Sequence, residues 1–256
     1  MLETIQIPVY EDNYIYLLFD PQKGHALVVD PAESGPVAKE VQERGLDLKY
    51  ILNTHHHPDH VGGNLSLKEA YGCTIIGPKA DEKRIPGIEK KVQDGDVLDL
   101  LDTQVKVFDV PGHTKGHIAF WLPEEKALFC GDTLFSLGCG RLFEGSYETM
   151  CESLDKLKKL PGETLVYCAH EYTEANGRFA LSVDKGNRDL VAYMEKVREK
   201  RARNQPTVPS KLADEKRCNP FLRAGKDSLK EALGLPLETT RVEAFAKLRK
   251  AKDQFS

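Results

Sequence analysis

Residues 54–60 read THHHPDH, directly behind the apolar run Tyr50–Leu52. Histidine is scarce in this chain, eight in 256 residues, and half of the eight stand in that stretch. A short apolar run that opens into imidazoles and a carboxylate points to an α/β sheet, where site residues favour positions just beyond the carboxyl ends of strands. Three further runs end the same way. Val105–Val110 leads into PGH with His113, Ala127–Cys130 into GDT with Asp132, and Leu165–Cys168 into AHEY with His170. Four strand ends would then supply seven donors on one edge: His55, His57, Asp59, His60, His113, Asp132 and His170. A single histidine in such a place is more often a capping or core residue, and a lone HisHisHis run could be a surface tract. Four strand ends carrying the same chemistry argue for metal binding instead.

The spacing divides the donors. In an extended HxHxDH loop, His55 and His57 share one side while Asp59 and His60 turn to another, so one loop can feed two ions. His56 points away from its neighbours and falls outside the set. His117, after GHTKG, reads as a supporting or structural residue, and His25 as a turn residue. Imidazole and carboxylate suit Zn²⁺, Fe or Mn²⁺, and no thiolate is required. Two adjacent divalent ions need a bridging anion to offset their repulsion. Asp132 is the natural candidate, with a hydroxide as the second bridge and the nucleophile.

Along the chain, strand candidates at Ile5–Val9, Tyr14–Phe19, Ala26–Val29 and Cys73–Ile76 add to the four above and to Ile118–Leu122. A helix follows at GPVAKEVQERG, with Ser34 as its cap and Gly45 closing it. Met150, Leu154, Leu157 and Leu160 recur at helical spacing behind Ser146. No GxGxxG follows the first strand, which sets a Rossmann fold aside. After residue 173 the character becomes helical, with Asn187 capping NRDLVAYMEKVREKRARN and further helices near 226–233 and 239–251. Charge changes at the same place: residues 1–173 hold 17 Lys/Arg against 28 Asp/Glu, and residues 174–256 hold 19 against 12. The expected organisation is an α/β catalytic domain over 1–173 and a helical substrate-binding domain over 174–256.

No segment reaches the roughly 18 apolar residues that cross a bilayer. The six cysteines form no CxxC pair and several stand in apolar runs, as reduced, buried thiols do. With no basic leader at the start, the expectation is a cytoplasmic protein with no membrane partner. The basic tail reads as a solvated or packing surface, since no interleaved aromatics or RNA-binding signature accompany it, and nucleic acid is not expected as a partner.

The motifs THHHPDH, PGHTKGH, GDTLF and AHEYT resemble the metallo-β-lactamase superfamily. GCGRLFEG at 138–145, CNPFLR at 218–223 and RKAKDQF at 249–255 narrow the resemblance to the glyoxalase II (hydroxyacylglutathione hydrolase) family, over essentially the whole chain. The resemblance implies an αββα sandwich with a C-terminal helical domain, acting as a monomer. It implies one metal on His55, His57 and His113, a second on Asp59, His60 and His170, and Asp132 between them. Both ions would be zinc, with iron or manganese as alternatives. It further implies that Arg141, Tyr172, Arg249 and Lys252 hold the glutathione portion of a thioester. Phe143 stands where animal-type members carry a tyrosine, so one hydrogen bond to glutathione would be missing there.

The tail supports this independently. Phe245, Arg249 and Lys252 stand at i, i+4 and i+7 on one helical face, an apolar anchor and two cations suited to an anionic ligand terminus. A solvated basic face is the plainer alternative. The implied reaction is hydrolysis of S-D-lactoylglutathione to D-lactate and glutathione, a step of methylglyoxal detoxification. The bridging hydroxide would attack, and Asp59 would orient it as well as bind metal. A lactonase or β-lactamase, an iron oxygenase acting on glutathione persulfide, a nuclease and a non-catalytic metal module are the other readings. Oxygen uptake would separate the oxygenase, and salt-sensitive RNA binding the nuclease.

Overall fold

The computed structural model describes residues 1–255. The chain divides into two compact units, Met1–Asp109 with Lys115–Gly131, and Val110–Thr114 with the chain from Asp132 onward.

In the first unit, six strands form one sheet in sequence order: β1 (Glu3–Val9), β2 (Asn13–Phe19), β3 (His25–Val29), β4 (Asp47–Leu52), β5 (Thr74–Pro78) and β6 (Lys90–Val92). β1 to β3 are antiparallel and β3 to β6 parallel. Helices α1 (Ser34–Glu43), α2 (Pro58–Val61) and α3 (Asn64–Tyr71) lie between the strands in sequence. A second antiparallel set runs β7 (Val97–Leu100), β8 (Thr103–Asp109), β9 (Ile118–Leu122) and β10 (Ala127–Gly131).

The sequence of β2, NYIYLLF, shows no alternation because both of its faces are covered: all seven residues are buried. Ile15, Leu17 and Phe19 join a core with Val37 and Val41 of α1 and Leu67 of α3. Tyr16 faces the other way, its ring 5.5 Å from that of Phe129 in β10. Helices therefore cover one side of the first sheet and strands the other.

Two local expectations need correction. Ser34 is the first residue of α1 and makes no cap; Glu33 takes the cap position without a side-chain hydrogen bond. Pro36 removes one of the two N–H groups, those two and three residues on, that a serine cap at 34 could bind. His25 is the first residue of β3, the turn being completed one residue earlier by Gly24 at φ 69°.

The second unit contains a two-stranded ribbon of β11 (Leu134–Phe135) and β12 (Gly138–Cys139), then α4 (Tyr147–Lys158). β13 (Leu165–Cys168) pairs with β14 (Ser210–Lys211). The helices are α5 (Thr173–Val183), α6 (Arg188–Ala202), α7 (Leu212–Cys218), α8 (Pro220–Arg223), α9 (Asp227–Ala232) and α10 (Arg241–Asp253). Ser146 and Asn187 cap α4 and α6 as expected, accepting from the N–H groups of Thr149 and Leu190.

The β11–β12 turn is built from within. Leu137 holds φ 57°, its N–H donates to Glu215 Oε2 at 2.8 Å, and Asn219 donates to the carbonyls of Phe135 (3.1 Å) and Gly138 (2.9 Å). Glu215 is fully buried, and burial pushes its carboxyl above the usual range against the lowering effect of these donors. A carboxyl raised in the folded state contributes stability that is full below its unfolded pKa and lost as pH rises through the folded one. Glu215→Gln removes that titration while keeping the shape. The variant should be more stable than the parent near about pH 8, with the gap closing toward about pH 4. Urea unfolding at both pH values measures this.

Candidate metal centre

In the first unit, β4 delivers the THHHPDH stretch to the end of the sheet, beside the end of β3. Asp30 stands at that neighbouring end, buried, at φ 48°. It accepts from the N–H of Thr54 (2.7 Å) and from Thr54 Oγ1 (2.6 Å), and His60 Nδ1 donates to it at 3.0 Å. That leaves His60 Nε2, buried, 3.6 Å from Asp59 Oδ2. Because the Thr54 hydroxyl hydrogen goes to Asp30, His55 Nδ1–H donates to Thr54 Oγ1 at 3.1 Å. His55 Nε2 is thereby left as an acceptor, 3.1 Å from His57 Nδ1. Two imidazole nitrogens on one tetrahedral zinc would stand roughly 3.3 Å apart, so this pair is spaced for chelation. Ligand atoms of Asp30, His55 and His60 all lie within 4.8 Å of one another, a His/Asp cluster able to hold a metal ion.

The donors Asp59 and His60 do not sit in an extended loop, as the spacing suggested. Pro58 opens the short helix α2, which carries both. Asn13 steadies Asp59, donating to its carbonyl (3.1 Å) and its Oδ2 (3.3 Å). His56 faces away from the donors, as expected. Its Nδ1 donates to the buried Asp81 at 3.0 Å and its Nε2 accepts from Arg84 at 3.1 Å, which anchors the loop. His117 is a packing residue: its ring stacks on His55 with centroids 4.5 Å apart, and its Nδ1 donates to the carbonyl of Ile118. Gly131 at φ 46° is required here, since a Cβ would stand 2.4 Å from Thr54 Oγ1 and 2.9 Å from the His117 ring.

The second unit presents the other three donors. His113 Nδ1 donates to the carbonyl of Arg141 at 2.8 Å, which directs Nε2 to Asp132 Oδ2 at 3.4 Å. His170 Nε2 lies 3.4 Å from Asp132 Oδ1. One carboxylate thus sets a separate oxygen before each of two imidazoles. Gly140 permits this, since a Cβ there would stand 1.9 Å from the Asp132 carbonyl oxygen. Tyr172 stacks flat on His170, with centroids 4.7 Å apart and planes within 2°. Phe143 is exposed and sets its ring edge-on to His113 at 5.1 Å.

The cations expected for glutathione also gather in this unit. Arg141 is exposed, with Nε 3.5 Å from Asp253 Oδ1. Arg249 is not the solvated cation that an amphipathic reading of the tail allows. It is 5 % exposed, because the face bearing Phe245, Leu248 and Arg249 turns inward. Arg249 donates to the Cys139 carbonyl (2.8 Å) and to Asp253 Oδ1 (2.9 Å), and lies over the Phe221 ring. Lys252 Nζ stands 5.8 Å from the ring centroids of both Phe179 and Phe255. Burial lowers its pKa first, and the neighbouring Arg249, Arg178 and Arg141 lower it further. The Cys139 thiol is pushed up to about 11 by burial and stays protonated at neutral pH, unfit as a nucleophile.

Asp30, Asn13 and Asp253 escaped the sequence reading. Asp30 had a usable signal, because VVDP is a fifth strand end bearing a carboxylate. By orienting His60 it strengthens that ligand, and such supporting carboxylates are worth about ten- to a hundredfold in metal affinity. Asp30→Ala should weaken zinc binding by about that factor, as read by competition with a chromophoric chelator.

The donor set of imidazole and carboxylate, with no thiolate, fits zinc, iron or manganese. Fold and donors together define the class. The sequence profile of the metallo-beta-lactamase superfamily matches residues 11–170, and that of the hydroxyacylglutathione hydrolase C-terminus matches 171–255. The expected α/β class, an αββα sandwich followed by a helical region, is the fold of this superfamily. A hydroxyacylglutathione hydrolase of Methylococcus capsulatus is 53 % identical over 100 % of this chain and 99 % of its own. One of Rhodospirillum rubrum is 49 % identical over 99 % of each. The chain belongs to the hydroxyacylglutathione hydrolase family. Among solved structures, ETHE1 from Myxococcus xanthus aligns with a TM-score of 0.67 at 25 % identity, over 98 % of this chain and 99 % of that one.

Proposed function

We propose that this chain hydrolyses thioesters of glutathione with 2-hydroxy acids, S-D-lactoylglutathione among them, to the free acid and glutathione. One observation carries the reading: Asp132 sets one oxygen before His113 and the other before His170, in a chain whose full-length relatives carry the hydrolase name. The seven His and Asp donors would then hold two divalent ions. His55, His57 and His113 would hold the first, Asp59, His60 and His170 the second, and Asp132 both. Zinc is the expected metal, with iron or manganese as alternatives. Bound there, the ions would supply Lewis acidity and make water available as a nucleophile near neutral pH.

The chain's own residues account for the rest. Asp30, through Thr54 and His60, fixes the tautomers that leave the Nε2 atoms of His55 and His60 available. The Arg141 carbonyl does the same for His113. Asn13 holds the Asp59 carboxylate, which would orient the attacking water. Hydrolysis breaks the acyl carbon–sulfur bond, adds a water oxygen to the acyl group and returns a proton to the glutathione thiolate. Arg141, Tyr172, Arg249 and Lys252 would hold the glutathione portion, in a helical substrate-binding region over 174–256 that follows a catalytic region over 1–173. Phe143 would meet substrate through its ring alone.

No described helix is long and apolar enough to cross a membrane. Among the described residues no disulfide joins the six buried cysteines. Reduced, buried thiols agree with a reducing compartment, and we place the protein in the cytoplasm. We take it to act as a monomer on a small molecule.

The test compares steady-state hydrolysis of S-D-lactoylglutathione with that of D-lactoyl-N-acetylcysteamine by the zinc-loaded protein. Strong preference for the glutathione ester supports the reading. Equal turnover of both would show a thioesterase that does not recognise glutathione, and no turnover of either would remove the assignment.

A further inference from the structure

Asp253 is the acid within a cluster of cations. Arg249, Arg178 and Arg141 all stand close enough to Lys252 to lower its pKa, and Asp253 is the carboxylate that opposes them. Its Oδ1 accepts from Arg249 at 2.9 Å and faces Arg141 Nε at 3.5 Å. Helix energetics do not explain its presence. Asp253 is the last residue of α10, where the negative end of the helix dipole disfavours a carboxylate. The Arg249–Asp253 pair also has the cation N-terminal to the acid, the less favourable order for an i,i+4 pair. What Asp253 does accomplish is a link between elements. Arg249 is anchored, donating to the Cys139 carbonyl and packed over Phe221. Arg141 sits on the exposed loop after β12 and has no comparable anchor, its side chain being 61 % exposed.

We propose that Asp253 is a positioning residue that holds Arg141 beside Arg249, so that the two guanidinium groups act as one clamp on the anionic end of the substrate. Asp253 itself does not touch substrate. The inference rests on the proposed glutathione thioester reaction, in which Arg141 binds substrate. Without the acid, Arg141 samples many rotamers and must be ordered at the moment of binding, which weakens ground-state affinity and leaves the chemical step alone.

The experiment measures KM and kcat for S-D-lactoylglutathione, and Kd for glutathione by calorimetry, in wild type, Asp253→Asn, Asp253→Glu, Arg141→Ala and Arg141→Ala/Asp253→Asn. Asp253→Asn should raise KM and the glutathione Kd about fivefold at unchanged kcat, the size of one partly exposed ion pair. Asp253→Glu should recover part of that loss. In the Arg141→Ala background the same Asp253→Asn change should alter KM less than about twofold, since its target is gone. A lowered KM would mean that the carboxylate competes with substrate and would overturn the proposal. So would an unchanged KM, a fall in kcat, or an equal effect with and without Arg141. Wild type that fails to turn over the thioester removes the proposed function instead, and the glutathione Kd values still decide the role of Asp253.

Discussion

Asp132→Ala should fold normally and hydrolyse the glutathione thioester at least about a thousandfold more slowly, equivalent to about 4 kcal/mol of transition-state stabilisation. Asp132 has one oxygen 3.4 Å from His113 Nε2 and the other 3.4 Å from His170 Nε2. Its loss removes the carboxylate that faces both imidazoles. Two cations held nearby would then repel with less screening, and metal content should fall together with rate. Asp132→Asn keeps the shape and removes the charge, and should fail to nearly the same degree. Near-normal turnover in either variant, with unchanged metal content, would contradict the role given to this residue. Circular dichroism and melting temperature separate loss of chemistry from loss of fold.

Arg249→Ala should cost about 3 kcal/mol of stability, a drop in Tm of about 8 °C for a chain of this size. The side chain is buried, its Nη1 donates to the Cys139 carbonyl, its Nη2 donates to Asp253, and its guanidinium carbon lies 5.3 Å from the Phe221 ring centroid. Truncation strands a buried carbonyl and removes the packed stem and plane. Arg249→Lys keeps charge but cannot make the two bonds from a planar fork, so it should recover only part of the loss. Lys252 differs. It is half-buried against two rings and anchors nothing, so Lys252→Ala should raise KM for the glutathione ester with little change in Tm. Equal melting temperatures for Arg249→Ala and the parent would show that the burial of Arg249 has no structural consequence.

The proposed donors could be named from the sequence because metal chemistry demands particular residue types at particular places. Imidazoles and carboxylates behind apolar runs leave a mark that surface sequence rarely imitates, and His55, His57, Asp59, His60, His113, Asp132 and His170 all carried it. Their support was harder to read. Asp30 acts across a parallel strand pair, and Asn13 across the sheet from β2 to α2. Asn13 has no local pattern, and the strand-end signal of Asp30 does not name its partners, which are set by pairing and not by spacing. Short elements escaped for a related reason. β11, β12 and β14 are two residues each, held by Glu215, Asn219 and β13 and not by their own periodicity. Ser34 misled because the serine signal was local while Pro36, two residues on, removed one of the two donors it could have capped. Arg249 shows the limit of helical spacing. The i, i+4, i+7 pattern found the face but not whether it turned toward solvent, and Phe245 and Leu248 carried that face into the core.

We propose that thioester hydrolysis depends on two divalent ions held by His55, His57, Asp59, His60, His113, Asp132 and His170. Titrating zinc into chelator-stripped protein, with bound metal and S-D-lactoylglutathione hydrolysis followed in the same samples, tests it most directly. Binding should saturate at roughly two ions per chain, with full activity reached only at that point, and Asp132→Ala should reach neither. Full activity without bound metal, or saturation at a single ion unaffected by Asp132→Ala, would contradict it.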